Sequence, residues 1–279
     1  VHRGADMILV TGAVQSNYVR SAAAAAAKLG LSCHVQLENR VDDMPSSYHR
    51  SGNVLLNKLF GASISTFHIG EDEAAADANI ADIASDYVKK GKKPYLLTLS
   101  PDTKPLGALG YIRCAGEILD QLRDQKKSIS AIVVASGSAA THVGLLLGLR
   151  LLGSNIPVHG ICVRRDKKQQ VSRVKGIVRL AENLIGCGEV VQDSDIKCYD
   201  EWLHPGYGKT NELVYEAMTL AGSLEAMVVD PVYTAKSFAG AVGLYRQGVF
   251  NNSQNILYLH TGGTPAIFAY AREITEMLN

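Results

Sequence analysis

The sequence lacks a strong excess of charge of either sign, and it lacks a long apolar run. Its 279 residues include 28 Lys or Arg and 27 Asp or Glu, so the basic surface that binds nucleic acid is not expected. Because no apolar run reaches the roughly 20 residues that a helix needs to span a bilayer, a membrane partner is not expected either. The first residues resemble neither a signal peptide nor a transit peptide.

Cysteine is scarce, and its positions argue against two common uses. The five cysteines contain no Cys-x-x-Cys pair, and their odd number argues against a disulfide framework. Cys33, Cys114 and Cys162 lie in apolar stretches, as buried thiols do. His34 and His159 lie near two of them, but without the spacing of metal ligands, so we predict no metal site. Together these features predict a cytoplasmic protein.

What the sequence does contain is a regular alternation of short apolar strands and longer helical segments. This alternation predicts an α/β fold of two domains, each an open parallel sheet with helices on both faces. A Pro/Gly-rich stretch, Pro101–Gly110, predicts the crossover between a small domain at residues 1–106 and a larger one at residues 107–279. Within this pattern we expect a strand ending at Leu99, a helix from Tyr111 to Arg123, strands at Val190–Val191 and Met227–Val229, and one closing helix from Pro265 to Leu278.

The segment Thr11–Arg20 joins an apolar strand to an alanine-rich helix. Such a turn lies at the carboxyl end of a strand, where open α/β sheets bind ligands. Ser16 and Asn17 can cap the helix, which leaves its first amides free to face an anion. Taken alone, a capped turn without a ligand is the simpler interpretation of this stretch.

A second turn of the same kind follows a later strand. Ala135–Thr141 contains small and hydroxyl residues and opens a helix, a combination suited to a phosphate, although a plain tight turn also fits. It has neither the Gly-Lys-Ser/Thr of a Walker motif nor the pattern Gly-x-Gly-x-x-Gly.

Two further segments also join a predicted strand to a helix. Asp230–Gly240 contains Tyr233, which can exchange a proton, and His260–Pro265 contains two glycines that admit a flat ring or a phosphate. Each segment also fits an ordinary packed turn. Four segments of this kind in one chain nevertheless predict a phosphorylated, ring-shaped cofactor in a cleft between two domains.

These four segments, in this order, resemble those of the pyridoxal-phosphate enzymes of fold type II, the tryptophan synthase β-like class. The signatures of its D-cysteine desulfhydrase and 1-aminocyclopropane-1-carboxylate deaminase family resemble Gln15-Ser16-Asn17, Ser136-Gly137-Ser138, Asp230-Pro231-Val232-Tyr233-Thr234 and His260-Thr261-Gly262-Gly263. The resemblance implies pyridoxal 5′-phosphate as the cofactor, a small amino acid as the substrate and a homodimer as the assembly.

The resemblance also implies roles for individual residues. Ser16 would engage the substrate near its carboxylate and reactive carbon, and Tyr233 would lie beside the leaving group of the substrate. Asn17 would bond the ring hydroxyl of the cofactor, and Thr261 would bond the pyridine nitrogen through a neutral hydroxyl. The phosphate loop would comprise Ser136, Gly137, Ser138, Ala139, Ala140 and Thr141.

The chain departs from the family pattern in several places. Ala139 and Ala140 stand where the family usually has glycine, and their methyl groups restrict φ and crowd the phosphate. Tyr18 stands where histidine is usual. The Schiff-base lysine of the family lies in a Gly-Asn-Lys motif upstream of the first strand, and the sequence contains no such motif. Because Gly4 looks like a helix cap, we expect an amino-terminal piece of the larger domain to be missing, and we do not expect Lys236 to replace that lysine.

The resemblance implies an enzyme that removes the α-proton and a β-substituent from a small amino acid, giving pyruvate and ammonia. Thr234 after Tyr233 favours a D-cysteine desulfhydrase, which also releases sulfide, because the deaminase type usually has glutamate at that position. L-Cysteate sulfo-lyase, the deaminase and a non-catalytic homologue without the lysine stay open as alternatives.

Overall fold

The computed structural model describes residues 4–70, 72–98 and 103–279 of the chain. It separates into two compact units, Val1–Thr103 together with Gly263–Asn279, and Lys104–Gly262. The prediction assigned residues 263–279 to the second domain, whereas the structure groups them with the first unit. Parts of the predicted strand ending at Leu99 and of the Pro101–Gly110 crossover fall on residues outside those described, as do the residues before Gly4, where the sequence predicts the end of a helix.

The first unit is built on a parallel sheet. Its strands are β1 (Met7–Ala13), β2 (Ser32–Glu38), β3 (Ser63–Phe67) and β4 (Pro94–Leu97), and its first helices are α1 (Asn17–Lys28), α2 (Gly52–Leu59) and α3 (Glu73–Lys89). The strands lie in the order β3-β2-β1-β4. Leu9 and Val10 are both fully buried although their side chains point to opposite faces of the sheet. Burial on both faces is what a parallel sheet with helices on each side requires.

The second unit repeats this architecture. Its strands are β5 (Ala131–Ser136), β6 (Val158–Cys162), β7 (Lys197–Tyr199) and β8 (Ile256–Tyr258), and its helices are α4 (Leu106–Asp124), α5 (Ala140–Leu151), α6 (Lys167–Ile185), α7 (Glu212–Glu225) and α8 (Thr234–Arg246). The strands lie parallel in the order β7-β6-β5-β8. Helix α5 packs so closely on α4 that a Cβ atom on Gly148 would lie 2.7 Å from the carbonyl oxygen of Ile112. In the parts of the chain described, no helix is both long enough and apolar enough to cross a membrane.

The last residues of the chain form two short helices, α9 (Thr264–Ile267) and α10 (Ala271–Leu278), so the prediction of one helix from Pro265 to Leu278 is wrong. The break lies next to Tyr270, whose ring packs edge-on against Tyr48 with 5.5 Å between centroids. Both rings are buried. This contact between distant parts of the sequence explains why residues 263–279 belong to the first unit.

Three predictions for the second unit also need correction. The helix predicted from Tyr111 already begins at Leu106. Val190–Val191 is not a strand, because both backbone amides bind the carboxylate of Glu182, at 2.9 and 3.0 Å. Met227–Val229 is not a strand either. The carbonyl oxygen of Val228 instead accepts a hydrogen bond of 2.8 Å from His260 Nε2.

Candidate active site

The two turns predicted to bind the cofactor follow the strands at which the strand order of each sheet reverses. In the first unit β1 lies between β2 and β4, and in the second unit β5 lies between β6 and β8. Open α/β sheets bind ligands at the carboxyl ends of the strands at such a switch point. Ser16 and Asn17 follow β1 directly, and the segment Ser136–Thr141 ends β5 and opens α5.

The turn after β1 is closed by hydrogen bonds of its own residues. The hydroxyl of Ser16 caps α1 by accepting a bond of 3.2 Å from Val19 N, and Ser16 is buried. Gly12 allows this closure, because a Cβ atom there would lie 2.9 Å from Val19 Cγ2. Asn17 is half-buried and begins α1. The segment therefore forms the predicted capped turn, and the side chain of Asn17 stays partly accessible at the start of α1.

The turn after β5 presents a helix N-terminus suited to an anion. Ala139 is the N-cap of α5 and has a left-handed backbone conformation, with φ 78° and ψ −10°. The first intrahelical hydrogen bond runs from Val143 N to Ala139 O, at 2.9 Å. The amides of Ala140, Thr141 and His142 therefore precede the first bonded turn, and such amides bind phosphate groups readily.

Three side chains donate hydrogen bonds to the carbonyl groups of this loop. Arg165 Nη1 donates to Gly137 O at 3.2 Å, Gln170 Nε2 donates to the same oxygen at 3.2 Å, and Arg173 Nε donates to Ser138 O at 3.2 Å. Because a trans peptide directs its C=O and N–H in opposite directions, the amides that follow these carbonyls point away from the three donors. This arrangement favours the binding of an anion by the loop amides.

The three hydroxyl residues of the loop differ in their surroundings. Ser136 is buried, and its Oγ lies 3.1 Å from His142 Nδ1 and accepts a bond of 2.8 Å from Gln170 Nε2. Ser138 is exposed and Thr141 is half-buried. Ser136 therefore anchors the loop to the protein interior, whereas Ser138 and Thr141 can offer hydroxyls to a ligand.

Tyr233 lies beside this loop within the second unit. A Cβ atom on Gly137 would lie 3.9 Å from Tyr233 Cε1. Tyr233 is the N-cap of α8, and the buried carboxylate of Asp230 accepts bonds from the backbone amides of Val232, Tyr233 and Thr234 at 3.0 to 3.1 Å. Burial raises the pKa of Asp230, and the bonds from Thr234, Tyr233 and Val232 oppose that rise. Asp230 thus fixes the backbone that carries Tyr233.

A second phenol, which the sequence did not reveal, pairs with Tyr233. The hydroxyls of Tyr207 and Tyr233 lie 2.5 Å apart, and their rings meet edge-on with 5.9 Å between centroids. Tyr207 is buried and stands between Gly206 and Gly208. The two flanking glycines were the one signal that this tyrosine occupies a special turn.

Lys236 holds the turn that carries Tyr207. Its side chain is fully buried, and its Nζ donates to the carbonyl oxygens of Leu203 at 3.0 Å and Gly206 at 2.5 Å. Burial lowers the pKa of Lys236 to about 8. The amine is therefore hydrogen-bonded to two backbone carbonyl groups of the turn that precedes Tyr207.

Thr261 follows the strand next to β5. Strand β8 pairs with β5 in parallel, and the pairing continues through a bond of 2.9 Å from Leu259 N to Val133 O. His260 is fixed by its bond to Val228 O, and its Nδ1 accepts a bond of 3.1 Å from Gly262 N. Thr261 is exposed. Its position beyond the carboxyl end of β8 places it at the same edge of the sheet as the phosphate loop.

The second unit thus brings the phosphate loop, Tyr233 and Thr261 to one edge of its sheet. Ser16 and Asn17 lie at the corresponding edge of the first unit. The convergence of all these residues on one cofactor stays a prediction.

Comparison with known proteins identifies the family. A family model described as pyridoxal-phosphate dependent enzyme matches residues 2–262. The chain belongs to the pyridoxal-phosphate-dependent enzyme family. It is 38% identical to a D-cysteine desulfhydrase from Salmonella paratyphi A over 270 residues, which cover 97% of this chain and 80% of the relative. The D-cysteine desulfhydrase from Salmonella choleraesuis is 39% identical over the same shares of the two chains.

Solved structures agree with this family. A structure described as an ACC deaminase homologue is 32% identical, with a TM-score of 0.85 over 99% of this chain and 79% of the other. A threonine deaminase from T.th. is 18% identical, with a TM-score of 0.63 over 93% of this chain and 78% of the other, and shares the fold. The predicted fold of two parallel α/β sheets of the type II class is confirmed.

The residues of this chain fit pyridoxal phosphate. The left-handed Ala139 and the unbonded amides that open α5 form an anion site with the hydroxyls of Ser138 and Thr141 beside it. The amide of Asn17 and the hydroxyl of Thr261 are neutral groups suited to the ring substituents of this cofactor. The first unit thus offers the amide of Asn17, and the second unit offers the loop amides and hydroxyls and Thr261, as donors of kinds that suit this cofactor.

Proposed function

We propose that the protein is a pyridoxal-phosphate-dependent lyase that converts D-cysteine and water to pyruvate, ammonia and sulfide. The observation that carries this proposal is the pair of phenols, Tyr233 and Tyr207, placed beside the phosphate loop of the second unit. The similarity to D-cysteine desulfhydrases over nearly the whole chain supports the choice of substrate.

The phenol pair acts on the bond from the β-carbon to sulfur. When bound, the cofactor supplies the electron sink that allows the Cα–H bond of the amino acid to break. The Tyr233 hydroxyl donates its proton to the departing sulfur, and the Tyr207 hydroxyl, 2.5 Å away, donates a hydrogen bond to the Tyr233 oxygen and stabilises the phenolate that forms. Lys236 supports this pair by fixing the turn before Tyr207.

The other site residues bind and orient. Ser16 engages the substrate near its carboxylate, Asn17 donates to the ring hydroxyl, and Thr261 bonds the pyridine nitrogen. The loop of Ser136, Gly137, Ser138, Ala139, Ala140 and Thr141 would hold the phosphate group. The neutral hydroxyl of Thr261 would not favour protonation of the ring nitrogen, which suits a reaction that needs only a moderate electron sink.

The proposal is tested with protein expressed from its complete reading frame and supplied with pyridoxal phosphate. D-Cysteine should yield pyruvate and sulfide in equal amounts, measured with lactate dehydrogenase and a sulfide assay. L-Cysteine and L-cysteate serve as comparison substrates. Protein that binds the cofactor and releases no pyruvate from D-cysteine would overturn the assignment.

A second candidate is the ring opening of 1-aminocyclopropane-1-carboxylate, which with water gives 2-oxobutanoate and ammonia. The 32% identity to a structure described as an ACC deaminase homologue supports it. Release of 2-oxobutanoate from this substrate, with no pyruvate from D-cysteine, would favour this candidate over the first.

We also infer a cytoplasmic homodimer. The inference extends the resemblance noted in the sequence, and the free thiols of all five cysteines suit a reducing compartment. Light scattering after size-exclusion chromatography tests the assembly, because a monomeric mass would contradict the dimer. Fractionation of the source cells tests the compartment.

A further inference from the structure

Asn53 connects helix α2 to the turn that carries Asn17. It is fully buried, and its Nδ2 donates to the carbonyl oxygen of Gln15 and to Oδ1 of Asn17, both at 2.9 Å. Its backbone amide donates to Gln15 Oε1 at 2.9 Å. Asn53 and Asn17 are 36 residues apart in the sequence, and both belong to the first unit.

Backbone atoms determine which way these side-chain amides face. The carbonyl oxygen of Gln15 can only accept, so the side-chain group of Asn53 that faces it must be the NH2 group. The same NH2 group faces Asn17, so Asn17 must turn its Oδ1 toward Asn53. Gln15 is fixed in the same way, since its Oε1 faces the amide of Asn53 and its Nε2 faces the carbonyl oxygens of Tyr48 and Ser51.

This orientation leaves the NH2 group of Asn17 for a ligand. Within the described ranges, Asn17 Nδ2 has no hydrogen-bond partner, whereas its Oδ1 is bound by Asn53 and its backbone oxygen is bound by Ser21. We propose that Asn53 is a positioning residue that sets the amide of Asn17 so that its NH2 group donates to the ring hydroxyl oxygen of pyridoxal phosphate. This inference rests on the proposed function.

The packing around Asn53 gives the network little freedom to rearrange. Gly52, with φ 58°, brings the start of α2 so close that a Cβ atom there would lie 2.5 Å from Gln15 Oε1 and 2.8 Å from Pro265 O. Gln15 Nε2 bonds Tyr48 O at 2.6 Å and Ser51 O at 3.1 Å. A ligand-facing group supported by such a shell is held in one geometry before the ligand arrives.

Asn57 provides a matched control on the same helix. It lies one turn after Asn53 and is also fully buried. Neither polar atom of its side chain has a hydrogen-bond partner among the described residues. The same substitutions at Asn53 and Asn57 both replace a fully buried amide on α2, but the change reaches Asn17 directly only from Asn53.

The experiment measures dissociation constants for pyridoxine 5′-phosphate and for its 3-deoxy analogue by isothermal titration calorimetry. Neither ligand has an aldehyde, so binding does not depend on a Schiff base, and the ratio of the two constants isolates the ring hydroxyl. Wild-type protein should prefer the hydroxylated ligand by about tenfold, as one hydrogen bond of ordinary strength provides.

The N53D variant should lose this preference, because a carboxylate only accepts and would draw the NH2 group of Asn17 away from the ligand. N53L, which neither donates nor accepts, should also reduce it. N57D and N57L should keep the wild-type preference. N17D keeps an acceptor for Asn53 but has no donor for the ligand, so it should match N53D. Thermal unfolding establishes that each variant is folded at the temperature of titration.

Each other outcome contradicts the inference. Equal weakening of both ligands in N53D and N53L would show that Asn53 only supports the fold. Loss of the preference in N57D as well would show that any disturbance of α2 suffices. Wild-type protein that binds both ligands equally well contradicts the inference alone, whereas wild-type protein that binds neither contradicts the proposed function together with it.

Discussion

The hydroxyl of Tyr233 provides a residue-level test of the proposed chemistry. We expect Y233F to lower kcat for D-cysteine by about 10²- to 10⁴-fold, because the phenol acts on the reacting bond. The dissociation constant for pyridoxal phosphate should change little, since the ring of Tyr233 remains beside Gly137. Steady-state kinetics and cofactor titration measure the two effects separately.

Tyr245 is the control for this substitution. It lies on the same helix, α8, is about half exposed, and its hydroxyl bonds Asn252. Y245F should leave turnover unchanged. A Y233F variant with full activity would remove Tyr233 from the mechanism.

Lys236 should not form the Schiff base with the cofactor. Its buried amine already donates to the carbonyl oxygens of Leu203 and Gly206, and bonding the cofactor would leave those buried acceptors without a donor. Protein loaded with pyridoxal phosphate is reduced with borohydride, digested and mapped by mass spectrometry. We expect no pyridoxyl group on Lys236, and finding one there would refute this assignment.

Local sequence predicted the residues that lie at turns and failed to predict their distant partners. Ser16 and Asn17 stand in a short pattern that marks a strand passing into a helix, and Tyr233 directly precedes a helix, so the sequence could identify these turn residues. Tyr207 and Asn53 act through contacts with residues 26 and 36 positions away. Nothing in the residues next to Asn53 indicates that its amide faces Asn17.

The phosphate loop allows a test at the level of one turn and its helix. Ala139 has φ 78°, a conformation that costs an alanine about 1 kcal/mol and costs a glycine almost nothing. A139G should therefore raise the free energy of unfolding by up to about 1 kcal/mol, and it should tighten binding of pyridoxal phosphate. Denaturant unfolding and cofactor titration measure these changes.

Ala140 is the neighbouring control, because it is the first residue of α5 with no left-handed backbone. A140G should lower the free energy of unfolding by at most about 1 kcal/mol, since glycine weakens a helix. The sequence analysis made no distinction between Ala139 and Ala140. The structure predicts that A139G raises the free energy of unfolding and that A140G lowers it. Destabilisation by A139G would contradict the strain assigned to Ala139.

The overall alternation of strands and helices was predicted correctly, whereas the short apolar segments Val190–Val191 and Met227–Val229 were wrongly predicted to be strands. Val190–Val191 has the residue types of a strand, but its amides bind the side chain of Glu182. Lys197–Tyr199 forms the edge strand although only its central Cys198 is buried. Whether such short segments pair depends on tertiary contacts that outweigh local propensity.

For the whole molecule, the alternation of strands and helices was enough to predict two parallel sheets, and both sheets place a candidate binding turn at a switch point. The return of the chain to the first unit was not predictable in this way. It depends on the packing of Tyr270 against Tyr48, residues that are far apart in the sequence. A pattern of local periodicity contains no information about such a contact.

The role of residues 263–279 in the first unit can be tested by removing the contact between Tyr270 and Tyr48. Y270A should lower the free energy of unfolding by about 3 to 5 kcal/mol, the range for a large buried aromatic side chain. Because Tyr48 O accepts a bond from Gln15 Nε2, amides of β1 and α1 should also lose protection in hydrogen exchange measured by mass spectrometry. Amides of β5 and α5, which belong to the second unit, should keep theirs.

Phe268 supplies the control in the same segment, since its side chain is 64% exposed. F268A should change the free energy of unfolding by no more than about 0.5 kcal/mol, as surface substitutions usually do. Uniform loss of protection in both units of Y270A would indicate that the units unfold together, and unchanged exchange in β1 would indicate that residues 263–279 do not support the first sheet. Loss confined to the first unit is the result that assigns these residues to it.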